Sequence, residues 1–172
     1  MLHGIVVAAH LVLTVSTSAN DAEFEMNGWR GGPTFADDRF ERCEMRFGDD
    51  GNQLVVALTE QGDVGVGLRQ TESLRGEQAM LAYRTDESTM ARAPAQDIAD
   101  GVIAWFDGPD YARHLVGIVR SERVTLELNG QTTTFGLQPG EAPADALVEC
   151  VQHYLDRQNA RAGNLIETFR LR

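Results

Sequence analysis

The middle of the chain consists of short segments in which apolar and polar residues alternate. Around the first cysteine, Cys43, Met45 and Phe47 occupy alternate positions, and the residues between them are charged. A period of two is typical of a strand that buries one face, so Glu44 and Arg46 are expected on the opposite face. The same kind of pattern predicts strands over residues 39–47, 53–59, 64–69, 79–83, 89–93, 102–106, 124–128 and 132–137.

Turn-forming residues separate these strands. Residues 48–52 contain glycine, aspartate and asparagine, and Asn129 with Gly130 forms the strongest short hairpin signal in the chain. Residues 28–33 are rich in glycine and end in a proline, which predicts an irregular or edge segment, with Trp29 as a core anchor. The first strands are therefore expected to follow one another as an antiparallel meander.

Two segments carry apolar residues at helical spacing. Pro109 stands near the first position of one segment and predicts a helix over residues 109–120. Pro143 begins the other helix, which is expected to end near residue 162 because Gly163 can stop it. Residues 165–171 are then expected to form a last short strand or a loose tail.

Strands dominate this pattern, and neither repeats nor linkers divide it. The predicted fold class is α+β, mainly antiparallel β in a meander or sandwich-like sheet, with two helices. The C-terminal helix is expected to pack on the sheet. A single globular domain is expected over residues 20–172.

The amino terminus is apolar without alternation. Residues 4–15 form a short hydrophobic run, and small residues follow it up to Ala19. This order is that of a secretory signal peptide over residues 1–19, cleaved ahead of Asn20. The alternatives are a buried first strand and a membrane anchor, although a spanning helix needs about 20 apolar residues. The mature chain is expected to be periplasmic or secreted, with no membrane span.

The chain has two cysteines, Cys43 and Cys150, and an exported protein with a lone pair is expected to join them in a disulfide. Cys43 faces inward from its strand, and Cys150 lies beside a helical stripe of apolar residues. One alternative is a catalytic thiol assisted by His114 or His153. Another is a metal site that uses Cys150 and His153 at positions i and i+3, although zinc needs at least three protein ligands.

The net charge of −11 favours some classes of binding partner over others. An acidic surface repels phosphate backbones, so nucleic acid is not an expected partner, whereas a basic protein partner, its identity unknown, fits the charge. All 15 basic residues are arginine. Codon bias in a GC-rich genome accounts for this, and a functional explanation through paired arginines would require them to cluster. In the sequence they are scattered.

No motif predicts a catalytic residue, a cofactor or a metal. Residues 62–67 resemble a glycine-rich phosphate loop, but they alternate like a strand instead of opening a helix. The pairs Asp37–Asp38 and Asp49–Asp50 are expected in solvated turns. Trp105 and Phe106 are expected in the core, because Phe106 continues an alternating buried face.

The sequence resembles small uncharacterised periplasmic proteins of alphaproteobacteria and, more distantly, the invasion-associated locus B family. The resemblance rests on Trp29, on Cys43 within a phenylalanine-rich strand, and on the closing segments 134–137 and 146–151. It implies an exported, disulfide-bonded protein that is not an enzyme, and it transfers no catalytic residue.

These observations together predict a non-enzymatic exported protein that acts through contacts with another protein or with the envelope. The first alternative is a small inhibitor or immunity protein that uses its acidity to associate with a basic cleft. The second alternative is a hydrolase that uses His114 or His153 as a general base.

Overall fold

The computed structural model describes residues 23–70, 79–86, 88, 90–98, 100–106 and 111–170, with side chains described up to Gln158. The predicted signal peptide over residues 1–19 lies outside the described residues, as do residues 109 and 110 at the start of the first predicted helix.

The described chain contains ten strands and two helices. In chain order they are β1 (Phe24–Met26), β2 (Trp29–Ala36), β3 (Arg39–Asp49), β4 (Asn52–Thr59), β5 (Val64–Gln70), β6 (Met80–Thr85), β7 (Ala91–Ile98), β8 (Gly101–Phe106), α1 (Tyr111–Arg120), β9 (Arg123–Leu128), β10 (Gln131–Gly136) and α2 (Ala142–Arg170). All eight strands that the alternation predicts are present, with bounds shifted by a few residues.

The strands form one sheet in the order β1-β2-β3-β4-β5-β8-β7-β6-β9-β10. Every neighbouring pair is antiparallel. The first five strands form the predicted meander, and β8 rather than β6 pairs with β5. Helix α2 contacts β1 to β4, which confirms the α+β class and the packing of the C-terminal helix on the sheet.

The inward side chains of the sheet and both helices form one continuous core. Trp29 is fully buried in it, as predicted, together with Leu54 and Val66 from the meander, Leu126 from the far end of the sheet and Leu147 from α2. Burial of a large apolar side chain contributes about 1.5–3 kcal/mol, so this shared core stabilises both ends of the sheet.

Two local expectations are wrong. Beyond the turn at Gly28, residues 29–33 are neither irregular nor at the edge: they belong to β2, an eight-residue strand between β1 and β3, and Pro33 lies opposite Cys43 in the ladder. Gly163 does not end the second helix, which continues as far as Arg170, so residues 165–170 are helical and form neither a strand nor a loose tail. A single glycine costs a helix only about 1 kcal/mol relative to alanine, and good helix formers stand on both sides of it. Within the described residues, neither helix is long and apolar enough to cross a bilayer.

Candidate functional site

The two predicted cysteines form a disulfide. Cys43 on β3 and Cys150 on α2 are joined with their Cα atoms 6.1 Å apart, and both residues are buried. The prediction that both sulfurs point inward from a strand and a helix is confirmed. Because a disulfide sulfur carries no thiolate, this bond leaves neither cysteine available as a nucleophile or as a metal ligand.

Aromatic rings reinforce the same contact between sheet and helix. Phe40 of β3 stacks on Tyr154 of α2 with ring centroids 4.8 Å apart and an interplanar angle of 3°. Phe35 of β2 meets Tyr154 edge-on at 5.5 Å and remains half exposed. His153 packs against Tyr154, and its Nε2 is buried without a hydrogen-bond partner among the described residues. The surroundings of His153 are therefore those of a packed residue at the edge of the core.

His114 lies in a cleft of about 160 Å³ that is lined by residues of β6, β7 and α1. Its Nδ1 forms a hydrogen bond with the Tyr83 hydroxyl, and its ring contacts Phe106. Burial raises the pKa of Tyr83 to about 12, so the phenol is protonated at neutral pH. Ser88 lines the same cleft, where its hydroxyl bonds to Thr85 at 2.9 Å.

A second group of polar residues occupies the face of the sheet that points away from α2, called the outer face below. Glu44 of β3 is buried there, with 1% of its side chain exposed. One carboxylate oxygen accepts hydrogen bonds from Arg46 Nε at 2.7 Å and from an Arg69 terminal nitrogen at 2.9 Å. The other oxygen lies 3.5 Å from Arg42. Three arginines thus converge on one carboxylate, and we call these four residues the Glu44 cluster.

Strand register explains how the cluster forms. Glu44 faces Ala57 on β4, which in turn faces Gly65 on β5, so only small side chains separate the carboxylate from β5. Arg69 reaches across this low surface from β5. The Gly65 position is itself covered, because a Cβ atom placed there would lie 2.8 Å from the Trp105 ring. The Arg42 guanidinium lies 5.9 Å from the centre of that ring, within the range of a cation–π contact.

Beside the cluster, the outer face opens into a cleft of about 590 Å³, which we call the outer cleft. Its floor includes Glu44 and Arg46, and β1 and β2 form one side. Arg30 of β2 lies directly opposite Arg46 in the ladder, so two residues of like charge stand on the same face of neighbouring strands, and both line the cleft. The other charged side chains that line the cleft are Glu23, Glu25 and Asp50.

The remaining sequence candidates are structural. Asp37 and Asp38 form the β2–β3 turn with positive φ angles of 48° and 61°. Asp49 accepts hydrogen bonds from the two backbone N–H groups of Gly51 and Asn52 and so closes its own turn. Residues 62–67 enter β5 as the alternation predicts. Phe106 lies in the core as predicted, whereas the prediction is wrong for Trp105, which is half-buried on the outer face because neighbouring strand residues point to opposite faces.

Sequence reasoning missed the Glu44 cluster. The placement of Glu44 and Arg46 on one strand face was predicted, but burial of that face was not. Some of the arginines that are scattered in the sequence are close together in space. Arg69, for example, binds Glu44 although the two residues are 25 positions apart in the chain. The alternation of Arg42, Glu44 and Arg46 is a local signal, but Arg69 joins them only through the register of three strands.

No protein-family model matches the sequence, and no curated protein matches it. Among solved structures, the crystal structure of invasion associated protein B from Bartonella henselae has a TM-score of 0.47 and 12% identity, with 80% of this chain and 97% of that chain covered. This neighbour carries the name of the family that the sequence resembles. Neither membership nor any residue role follows from a likeness this distant.

Among the described residues, no group of three or more histidine, cysteine, aspartate or glutamate side chains is arranged to hold a metal ion. The outer cleft brings charged side chains from β1, β2 and β3 together in one concave surface, and it is the candidate functional site.

Proposed function

We propose that this chain is an exported, non-enzymatic binding protein and that its protein partner docks in the outer cleft. The observation that carries the proposal is the pair formed by Arg30 and Arg46. Like charges directly opposite each other in a ladder are destabilising, by some tenths of a kcal/mol. An anionic group bound between the two guanidinium groups would remove that repulsion.

The chemistry of Arg46 suits a carboxylate. Its side chain is 41% exposed, and its Nε is the atom that donates to Glu44. A guanidinium group has five N–H donors, so its terminal nitrogens can still donate to a ligand. Arg30 is exposed and forms no ion pair with the described residues. Together the two arginines can bind a carboxylate of a partner in the bidentate geometry that arginine favours.

The buried Glu44 contributes by holding one of these arginines in place. A long arginine side chain loses rotamer freedom when it binds a ligand, at a cost of about 0.5–1.5 kcal/mol. Arg46 loses part of that freedom on folding, because its Nε is already bound to Glu44. The cleft therefore offers a partly preorganised anion-binding group.

The rim of the cleft indicates what surrounds that carboxylate. Glu23, Glu25 and Asp50 are exposed on the rim, and the whole chain carries a net charge of −11. A surface with this field accelerates association with basic partners. The proposed partner is thus a protein with a basic surface that places one acidic side chain or a terminal carboxylate between Arg30 and Arg46.

Export is part of the proposal, and the buried disulfide supports it, because such bonds form and persist in oxidising compartments. The mass of the mature protein isolated from producing cells tests this directly. Cleavage after Ala19 with both cysteines resistant to alkylation is expected. A full-length cytosolic form with two alkylated cysteines would contradict it.

Site-specific cross-linking tests the binding surface. A photo-reactive amino acid at Asp50, on the rim, is expected to give a discrete adduct in producing cells. The same group at Glu149, exposed on α2, serves as the matched control. Arg30→Ala together with Arg46→Ala is expected to lower the Asp50 adduct about tenfold, since loss of roughly 1.4 kcal/mol changes binding by that factor. Equal adducts at both positions, or an Asp50 adduct that survives the double substitution, would contradict the proposed site.

A hydrolase is the second candidate, and the contact between His114 and Tyr83 in a small cleft favours it. In that case His114 would act as the general base on a substrate bound beside Ser88. Turnover of ester or peptide substrates that is lost in His114→Ala and retained in Arg30→Ala would favour the hydrolase over the binding protein. The inhibitor alternative predicts instead a salt-sensitive complex with a basic enzyme.

A further inference from the structure

Strand β10 ends the sheet on the side opposite to β1. It pairs with β9 along its full length without a bulge. Among the described residues, no strand pairs with its other side. A free strand edge presents a row of backbone donors and acceptors that another strand can use.

The hairpin turn determines which groups of β10 point outward. Asn129 and Gly130 form a two-residue turn with φ angles of 51° and 78°, so Leu128 and Gln131 form the first hydrogen-bonded pair. In an antiparallel ladder such pairs alternate with pairs that exchange no hydrogen bonds. The N–H and C=O groups of Thr132, Thr134 and Gly136 therefore point away from β9.

These three outward residues are accessible. Thr132, Thr134 and Gly136 are all exposed. A Cβ atom placed at Gly136 meets no other atom within 4 Å, so the outer face above the end of the strand is also open. The exposure of all three residues leaves this edge accessible to a second strand.

The two edges of the sheet differ in how they are protected. Strand β1 has three residues, and Glu25 at its centre carries a charge. Strand β10 has six residues, QTTTFG, with neither a charge nor a proline. Short edges and charged edge residues are the usual devices that prevent strand pairing between molecules, and β10 lacks both.

We propose that β10 pairs with β10 of a second copy of this chain, antiparallel, with Thr134 on the two-fold axis. In this register Thr134 faces Thr134 of the second copy, and Thr132 faces Gly136 at both ends. Each facing pair exchanges two hydrogen bonds, so three pairs form about six. The sheets of the two copies become one continuous sheet.

A second copy fits this edge for two reasons. On the outer face, the Thr125 and Thr134 hydroxyls form a hydrogen bond at 3.2 Å, and the two-fold axis extends this threonine ladder into the other copy. The same register places Glu127, beside Thr132, on one row with Arg123 of the second copy, beside Gly136. The charges nearest to the axis are thus opposite in sign across the interface.

The dimer is expected to be weak and to tighten with salt. Pairing of one strand buries far less area than a stable interface needs, which is about 1,200–2,000 Å². Two chains of net charge −11 also repel each other, and added salt screens that repulsion. The inference does not depend on the outer cleft, which lies at the opposite end of the sheet.

Sedimentation equilibrium of the mature protein at low and moderate salt tests the association. The wild type is expected to form dimers at high protein concentration, more so in salt. Thr134→Pro removes the central outward N–H, whereas its fold is preserved because proline is tolerated at edge positions. This variant is expected to be monomeric at concentrations at least tenfold higher. Glu25→Pro, at the equivalent outward position of β1, is the control and is expected to dimerise like the wild type.

Cysteine cross-linking tests the register. The native cysteines are both in the disulfide, so a new cysteine is the one reactive thiol. Thr134→Cys is expected to form an intermolecular disulfide, because Cα atoms in a hydrogen-bonded pair lie about 5.5 Å apart. Thr132→Cys has the same exposure, but its equivalent lies about 13 Å away, four residues along the strand, and is not expected to cross-link. A monomeric wild type, a dimeric Thr134→Pro variant, or equal cross-linking of both cysteines would overturn the proposal.

Discussion

Glu44 shows how a single residue acquires a role that its sequence neighbours do not define. It stands on the polar face of an alternating strand, yet its side chain is as buried as the core. Burial of a carboxylate is costly unless ion pairs and hydrogen bonds compensate for the lost water. Arg42, Arg46 and Arg69 provide these contacts, and the small residues Ala57 and Gly65 provide the space.

Removal of this carboxylate is therefore expected to destabilise the fold. We expect Glu44→Gln to lower the free energy of unfolding by about 3 kcal/mol, because three arginines then lose their shared counter-charge. The control is Glu41→Gln, since Glu41 pairs with Arg42 at 2.6 Å but is 47% exposed. That change is expected to cost less than about 1 kcal/mol. Urea unfolding of both variants is the measurement, and equal effects would show that burial of Glu44 has no special importance.

Tyr83 is expected to make the free energy of unfolding fall at alkaline pH. Its pKa is raised to about 12 by burial, against 10.0 when the chain is unfolded. Its contribution is fully present below pH 10 and is lost as the pH rises through the folded pKa. Two pKa units correspond to about 2–3 kcal/mol. We expect urea unfolding at pH 8 to 12 to show this loss in the wild type, and Tyr83→Phe to lack it. Parallel curves for both proteins would contradict this role.

At the scale of elements, alternation identified the strands because a half-buried strand must repeat every two residues. The errors arose where a local signal was weaker than tertiary packing. Residues 29–33 belong to a strand despite Pro33, because β1 and β3 pair on both sides of β2. Helix α2 continues past Gly163 because one glycine costs too little to end it.

Two glycines allow a test of element packing. Gly117, within α1, has nothing within 4 Å of an added Cβ, so Gly117→Ala is expected to raise the free energy of unfolding by about 0.5–1 kcal/mol. Gly65, within β5, would place a Cβ atom 2.5 Å from Ile103. Gly65→Ala is expected to cost about 1–3 kcal/mol through overpacking. Thermal unfolding compares the two, and shifts of the same sign would contradict the packing described for the outer face.

At the scale of the whole molecule, the disulfide joins two residues that are 107 positions apart in the chain. It ties β3 to α2 and so encloses most of the described chain. Constraint of the unfolded chain by a loop of this length is worth about 4–5 kcal/mol in the loop-entropy account.

We expect replacement of both cysteines by alanine to lower the free energy of unfolding by about that amount. Addition of reductant to the wild type is expected to have the same effect and to leave the double variant unchanged. The stack of Phe40 on Tyr154 should keep α2 docked in the folded state, so circular dichroism of the variant should match that of the wild type. A variant as stable as the wild type would show that the bond adds no stability.

The sequence by itself determined eight of the ten strands, the presence of two helices, the α+β class and the pairing of Cys43 with Cys150. Periodicity and turn residues are local features of the sequence, and two cysteines allow only one intramolecular pairing. Only the tertiary structure decided that β8 lies beside β5, that Arg69 reaches Glu44, and that β10 is left as a free edge. Strand order and register bring together residues far apart in the chain. Turn residues record the pairing of strands joined by a short hairpin, but no local pattern records the pairing of strands that are distant in sequence.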